Sequence, residues 1–225
     1  MSMQEALRAI RPVTMFPPRW SSHACSYSDL VDPMGAPLPV RRDVEIYGES
    51  EPAEHLYMVV SGAVRTYKVL VDGRRQICAF HLPGDFFGLE TGETHSFSAE
   101  AITNSKVLAI KRSVVMALAE HDNEVARQLW TMTGAELRRM QAHVLLLIKT
   151  AKERVAAFLL EMAERTGAPD EVDLPMSRQD IADYLGLTIE TVSRTLTDLE
   201  NAATIALPSS RRVVLRDRNV LCHCG

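Results

Sequence analysis

The residues best suited to specific chemistry lie near the C-terminal end of the sequence, on one face of a predicted helix. The outer face of this helix carries Ile189, Glu190, Ser193 and Arg194. An arginine can donate two hydrogen bonds to guanine O6 and N7, and a glutamate can accept one from the amino group of cytosine. The same spacing also fits a solvated i,i+4 ion pair on an ordinary surface helix, so the surrounding elements must decide between the two interpretations.

Those elements form a predicted helix-turn-helix. Ser177 and Asp180 have the spacing of a capping box, which predicts a helix beginning there. Gly186 can adopt a positive φ and end that helix, and Thr188 can cap the second helix. The inner face of the second helix consists of Val192, Leu196 and Leu199. Two short helices joined by a glycine turn are typical of DNA-binding proteins, which favours base recognition over the surface ion pair.

A predicted β-hairpin follows the second helix. Residues 204–207 and 212–215 are short apolar runs on either side of a Pro-Ser-Ser turn. A hairpin beside a helix-turn-helix is a wing, and we expect DNA backbone contacts from Arg178, Thr188, Thr191, Arg211 and Arg212. The expected partner is therefore double-stranded DNA.

Composition limits the possible classes of protein. The chain has 225 residues, 46% of them hydrophobic, and a formal net charge of −4. It therefore has no overall basic field, and positive charge for DNA must be gathered on one face. The sequence contains no run of eighteen apolar residues and no signal peptide, so we expect a soluble cytoplasmic protein without a membrane partner.

Neither the cysteines nor any catalytic motif predicts an enzyme or a metal site. Cys25, Cys78, Cys222 and Cys224 do not have the spacing of a disulfide framework. Cys222, His223 and Cys224 are consecutive, a spacing that seldom closes a tetrahedral zinc site, so we expect an unstructured tail and no metal. The sequence has no nucleophile–base pair, HExxH segment or phosphate loop, and we predict no enzymatic activity.

The fold class predicted for the chain is α+β. Residues 1–28 contain three prolines and no apolar period, and we expect an irregular arm there. Short strands separated by turns, among them Asp72-Gly73, predict an antiparallel β-roll or jelly roll from about Val40 to Arg112. The predicted domains are the arm and roll at 1–115, a dimerisation helix at 116–151, and a winged helix-turn-helix at 152–225.

The dimerisation helix is predicted from a heptad pattern between about residues 123 and 150. The expected interface residues of a parallel homodimer are Trp130, Leu137, Met140, Val144 and Leu147. Internal packing of a globular core helix would produce a similar stripe, and remains the alternative.

The order of these elements, with the segment Pro83-Gly-Asp-Phe-Phe-Gly, resembles the CRP/FNR family of bacterial transcription regulators over about residues 40–218. Residues 178–194 are most similar to the FixK and FNR branch. That branch reads TTGA-type inverted repeats with Glu, Ser and Arg at the positions held here by Glu190, Ser193 and Arg194. The resemblance implies an activator of microaerobic or nitrogen-fixation genes, which would contact RNA polymerase through residues 72–75 and 164–174.

The resemblance also argues against the sensors known in the family. Cyclic-AMP binders hold the nucleotide with Gly-Glu and Arg-Ser pairs, which correspond here to Gly88-Leu89 and His95-Ser96. A Thr-Ser pair on the long helix is replaced by Arg139-Met140. An iron–sulfur cluster needs about four thiolates, and the N-terminal region offers only Cys25. We therefore expect no cofactor; the alternative is a regulator of the same fold gated by haem or nitric oxide.

Overall fold

The computed structural model describes residues 37–168 and 170–222. Its N-terminal part is a roll of two antiparallel sheets, with strand orders β1-β8-β3-β6 and β2-β7-β4-β5. The strands are β1 Leu38–Val40, β2 Glu45–Tyr47, β3 His55–Ser61, β4 Val64–Val69, β5 Arg75–His81, β6 Phe86–Phe87, β7 Ser98–Ala101 and β8 Ser105–Lys111. Val59, Val64 and Val107 pack between the sheets and are fully buried or nearly so. The predicted roll is confirmed, whereas the expected irregular arm and Cys25 lie outside the described residues.

Helices and a small sheet make up the rest of the described chain. The helices are α1 Arg112–His121, α2 Asn123–Leu146, α3 Ala151–Thr166, α4 Arg178–Leu185, α5 Ile189–Asn201 and α6 Arg218–Cys222. The strands β9 Glu171–Asp173, β10 Ile205–Ala206 and β11 Arg212–Leu215 form an antiparallel sheet in the order β10-β11-β9. The predicted α+β class and winged helix-turn-helix are thus observed, with β9 as an additional strand of the wing sheet.

The long helix is shorter than predicted. It ends at Leu146 instead of Thr150, because Thr150 starts a new helix. The Thr150 amide donates to Glu153 Oε2 at 2.6 Å, and the Thr150 hydroxyl accepts from the Glu153 amide at 3.4 Å. This capping box replaces continued α2 hydrogen bonding, so the chain can change direction between the two helices.

Two expected contact or tail segments contain regular secondary structure. The segment 164–174 includes the end of α3 and the strand β9. The first residue of the tail that we expected to be unstructured, Cys222, is the last residue of α6, which corrects that expectation at this residue. His223 and Cys224 lie outside the described residues.

Gly62 and Gly73 are two of the roll glycines that adopt a positive φ, and they differ in the space around them. Gly73 has a φ of 82° in the predicted Asp72-Gly73 turn, and a Cβ there would meet nothing within 4 Å. Gly62 has a φ of 86°, and a Cβ there would lie 2.7 Å from Ser105 Cα and 2.8 Å from the Asn104 carbonyl oxygen. Only at Gly62 is the side chain excluded by neighbouring backbone as well as by conformation.

We predict that Gly62→Ala lowers the free energy of unfolding by at least about 2 kcal/mol more than Gly73→Ala does, because β8 must shift to admit the methyl group. Gly73→Ala serves as the matched control, with an expected cost of about 1 kcal/mol for the positive φ alone. Urea unfolding of both variants measures the difference. Equal losses would contradict the packing at Gly62.

Candidate nucleic-acid interface

The helix-turn-helix is built by local capping. The Ser177 hydroxyl accepts from the Asp180 amide at 3.1 Å, while the Asp180 carboxylate accepts from the Ser177 amide at 2.9 Å. Gly186 ends α4 in the left-handed conformation, with a φ of 62°. Thr188 then caps α5, its hydroxyl accepting from the Thr191 amide at 3.2 Å. These predicted boundaries are confirmed, and they fix the direction in which α5 leaves the turn.

The outer face of α5 is open. Val192, Leu196 and Leu199 are buried on the inner face, whereas Ile189, Glu190, Ser193 and Arg194 are all exposed. In the described part of the chain, the side chain of Arg194 makes no hydrogen bond or ion pair with another residue. The Glu190–Arg194 ion pair of an ordinary surface helix is therefore not formed, and the guanidinium donors are available to an external acceptor.

Glu190 is held in its anionic form at the start of the helix. Its own backbone N–H and the Thr188 hydroxyl donate to the carboxylate, and these hydrogen bonds lower the pKa of Glu190. A carboxylate there offers an acceptor only, which suits the amino group of a base.

The residues expected at the DNA backbone differ in their exposure and in their partners. Thr188 and Arg211 are exposed, whereas Thr191 and Arg178 are half-buried. Burial lowers the pKa of Arg178, and its Nη1 has no hydrogen-bond partner among the described residues. Arg212 is exposed, but its guanidinium forms an ion pair with Glu171 on β9.

The turn of the wing is capped by a serine that the sequence interpretation did not single out. Ser209 Oγ accepts from the Arg211 amide at 3.3 Å and from the Arg212 amide at 3.1 Å. Serine in such turns commonly bonds the backbone two or three residues on, so the Pro-Ser-Ser run did contain the signal.

Arg154 was also missed, and it links the helix-turn-helix to the end of α2. Its guanidinium donates to the Leu185 carbonyl at 2.9 Å, the Lys149 carbonyl at 2.9 Å and the Leu147 carbonyl. These are the carbonyl groups that a helix end or a turn leaves without partners. Arg154 and Leu185 are 31 residues apart in the sequence, so only the fold shows that the two helix ends meet at one arginine.

The predicted dimer residues lie on α2 and at its end, largely facing outward. Trp130 is 81% exposed, Leu137 56%, Met140 45% and Val144 62%, while Leu147 is half-buried. Ile148, beyond the helix end, adds a further 82% exposed apolar side chain. Residue 151, which the heptad pattern included, belongs to α3 instead.

A cavity of about 280 Å³ lies between the roll and α2. Leu89 lines it where a nucleotide binder would carry a carboxylate, and Met140 and Leu137 line the side formed by α2. His95 is buried and stacks on Tyr47 with ring centroids 3.6 Å apart. A stacked imidazole does not offer the parallel donors with which a guanidinium grips phosphate.

Cys78 also lines this cavity, but as a protonated thiol. Burial raises the pKa of Cys78 to about 11. Within residues 37–168 and 170–222, no three His, Cys, Asp or Glu side chains gather in a way that could hold a metal ion. In the same residues, no helix is both long and apolar enough to span a bilayer.

Comparison with known proteins agrees with this architecture. Residues 38–122 match the cyclic nucleotide-binding domain, and residues 153–224 match the Crp-like helix-turn-helix domain. The nitrogen fixation regulation protein FixK of Azorhizobium caulinodans is 56% identical over 200 residues, which cover 86% of this chain and 81% of that protein. The chain belongs to the CRP/FNR family of transcription regulators. Its similarity to FixK makes it a FixK-like member, as the sequence predicted.

Two further comparisons support the FixK-like assignment. FixK of Rhizobium meliloti is 46% identical over 170 residues, covering 75% of this chain and 77% of the relative. The structure of FixK2 from Bradyrhizobium japonicum superposes with a TM-score of 0.80 at 55% identity, covering 83% of this chain and 94% of that one. FixK of both Azorhizobium caulinodans and Rhizobium meliloti is named a nitrogen fixation regulation protein, and the matched helix-turn-helix domain supports DNA binding by this FixK-like protein.

The buried His81 gives the cavity wall a pH-dependent stability. Burial lowers the pKa of His81 to about 3, against an opposing influence from Asp85, and Thr66 Oγ1 lies 3.1 Å from its Nε2. Because the folded-state pKa is depressed, the stabilisation is fully present above the unfolded value of about 6.5 and is lost as the pH falls toward 3.

We predict that His81→Gln reduces the acid sensitivity of the FixK-like protein. Between about pH 6 and pH 4, the free energy of unfolding of the wild type should fall by up to about 1.4 kcal/mol per pH unit more than that of the variant. Urea unfolding across this range measures the two slopes. Parallel profiles would show that His81 is protonated in the folded protein.

Proposed function

We propose that this FixK-like regulator binds a TTGA-type inverted repeat as a homodimer and activates transcription in the cytoplasm. Its target genes would serve microaerobic or anaerobic metabolism or nitrogen fixation, consistent with the names of its relatives. The observation that carries the proposal is the unpaired Arg194 beside the anionic Glu190 on the open face of α5.

Each side chain of this face has a distinct role in the proposed readout. Arg194 donates two hydrogen bonds to the guanine of the half-site, while Glu190 accepts from an amino group on the opposite strand. Ser193, one residue before Arg194, and the exposed part of the apolar Ile189 side chain contact thymine methyl groups.

Backbone contacts would place α5 in the groove. Arg178, Thr188 and Thr191 face the phosphates at the helix-turn-helix, and Arg211 does so at the wing. Arg212 can join them only by leaving Glu171, so Arg211 is the wing residue whose charge is immediately available.

The dimer is proposed to form along α2. Trp130, Leu137 and Val144 are spaced by seven residues and stay exposed in the protomer. An aligned apolar stripe of this kind normally faces another helix. In this arrangement, residues 116–151 form the dimerisation unit between the arm and roll of 1–115 and the DNA-binding unit of 152–225.

DNA binding is proposed to need neither a cyclic nucleotide nor an iron–sulfur cluster. Leu89 and His95 replace the carboxylate and guanidinium that would hold the nucleotide, and the Cys78 thiol is protonated by burial. The proposal also includes contacts to RNA polymerase from the β4–β5 hairpin and from residues 164–174. In the hairpin, Asp72 and Arg74 pair with each other but stay exposed to solvent, whereas Arg75 is engaged with Asp183.

We predict that Arg194→Ala weakens binding to a TTGA palindrome by about 1–3 kcal/mol per lost bidentate contact and removes discrimination at the guanine. Arg211→Ala should weaken all sequences alike and reduce the slope of log K against log salt by about 0.9 for each lost phosphate contact. Titrations on original and guanine-substituted duplexes, at several salt concentrations and with or without cyclic AMP, measure both effects.

Two results of these titrations would contradict the proposal. If Arg194→Ala weakens original and substituted sites equally, Arg194 is a phosphate contact and not a base reader. If cyclic AMP raises the affinity of the wild type, the cavity is a working nucleotide site.

We predict that the double variant Leu137→Glu/Val144→Glu is monomeric, because its four carboxylates would face one another across the two-fold axis. Both positions are more than half exposed in the protomer, so the fold itself should persist. Thr131→Glu is the matched control, since Thr131 is exposed on a different side of α2 and its variant should remain a dimer. Sedimentation velocity distinguishes the species, and a dimeric double variant would place the interface elsewhere.

A further inference from the structure

The roll and the first helix of the helix-turn-helix are joined by a cluster of ion pairs. On the roll, Arg65 Nη1 donates to Asp180 Oδ1 at 2.8 Å, and Arg75 Nη2 donates to the same oxygen at 2.7 Å. Arg75 Nε also donates to Asp183 Oδ2 at 2.8 Å. We refer to Arg65, Arg75, Asp180 and Asp183 as the roll–α4 latch.

The latch is buried and tied to its surroundings at both ends. The Arg65 side chain is 9% exposed, and its Nη2 donates to Glu100 Oε1 at 2.7 Å within the roll. Asp180 is 4% exposed, and its other oxygen accepts from the Ser177 amide and hydroxyl at the start of α4. One carboxylate therefore caps α4 and anchors it to the roll.

Charge-assisted hydrogen bonds fix geometry in a way that apolar packing does not. Phe80 of β5 packs against Tyr184 of α4 with ring centroids 5.1 Å apart, but such contact is non-directional. Buried ion pairs often add little net stability, because desolvating the charges is costly. Each latch guanidinium nevertheless bridges two carboxylates, Arg65 between Glu100 and Asp180 and Arg75 between Asp180 and Asp183. Its donors have a fixed planar geometry, so few docking angles satisfy all of these hydrogen bonds.

The latch sets the direction of the recognition helix without covering it. α4 and α5 share a buried core through Ile181, Leu185 and Leu196, so that α5 follows the orientation of α4. The reading face of α5 contains none of the latch residues and remains exposed. An electrostatic contact at α4 can therefore determine where the two copies of α5 stand in a dimer.

We propose that Arg65 and Arg75 are positioning residues, which determine the spacing between half-sites that the regulator accepts. This inference rests on the proposed function as a dimer on an inverted repeat. A spacing changed by one base pair rotates one half-site by about 34–36° around the DNA axis, since a turn has about 10–10.5 base pairs. With the latch intact, the two copies of α5 cannot move to follow that rotation, whereas without the latch they can.

The test uses the more accessible pair, because Arg75 and Asp183 side chains are 25% and 13% exposed and tolerate substitution better than Arg65. The variants are Arg75→Asp, Asp183→Arg and the double exchange of both charges. Arg74→Asp is the matched control, because Arg74 lies next to Arg75 but, among the residues that the structure describes, its side chain pairs with Asp72 on the exposed hairpin and not with α4. Each protein is titrated on palindromes with the preferred spacing and with one base pair added or removed.

We expect the wild type and Arg74→Asp to bind the preferred spacing more tightly than the altered spacings. In each single latch variant, this ratio of affinities should be about tenfold smaller. The double exchange should recover part of this loss, because the pair between positions 75 and 183 is restored with reversed polarity, while Asp180 still lacks the Arg75 donor. Unchanged discrimination in both single variants overturns the proposal. So does a loss that the double exchange fails to restore even in part, provided that its thermal melt shows a folded protein. Asp183→Asn, which removes the charge without repulsion, should give a smaller loss in the same direction.

The same measurements separate this inference from the proposed function. If the wild type does not prefer TTGA repeats, its own repeat is selected from random duplex DNA, and the spacing series is repeated on that sequence. In that case the proposed target is wrong, and the latch is judged on the selected repeat by the same outcomes.

Discussion

The structure depends on a single apolar contact region in which Phe80 of the roll meets the DNA-binding unit. Phe80 is 1% exposed and lies against both Phe158 of α3 and Tyr184 of α4. Because of this packing, the apolar core runs without interruption from the roll to the wing. Burial of an aromatic side chain of this size stabilises the contact by about 2–3 kcal/mol, which holds the two units together but leaves their relative rotation poorly specified.

Charged groups fix the relative rotation that this apolar contact leaves poorly specified. Asp85, in the segment that carries the family resemblance, accepts from Arg165 of α3 at 2.6 Å and lies 3.4 Å from Arg139 of α2. Burial opposes the charged form of Asp85, yet the two arginines hold its pKa below the ordinary value. Asp180 accepts from Arg65 and Arg75 of the roll, so guanidinium–carboxylate contacts join α2, α3 and α4 to the roll.

The cavity of this FixK-like regulator lies in the part of the chain that matches the cyclic nucleotide-binding domain. Its lining is largely apolar and includes Leu89, while the buried His95 stacks on Tyr47 and Arg139 pairs with Asp85 and Glu136. The α2 wall of the cavity includes Leu137 and Met140, which also belong to the proposed dimer stripe, so the proposed interface and the cavity would share these side chains.

The sequence by itself determined the local elements and the face of α5, because caps, turns and helical periods act over three to seven residues. Ser177, Gly186 and Thr188 have the predicted positions, and Glu190 and Arg194 lie on the predicted outer face. Only the tertiary structure decided which charges meet, and it also showed where α2 ends. α2 stops at Leu146 because Arg154 and the Thr150 cap satisfy the backbone there, and Arg65 reaches Asp180 across 115 positions of sequence. Such contacts depend on three-dimensional docking, which no local pattern encodes.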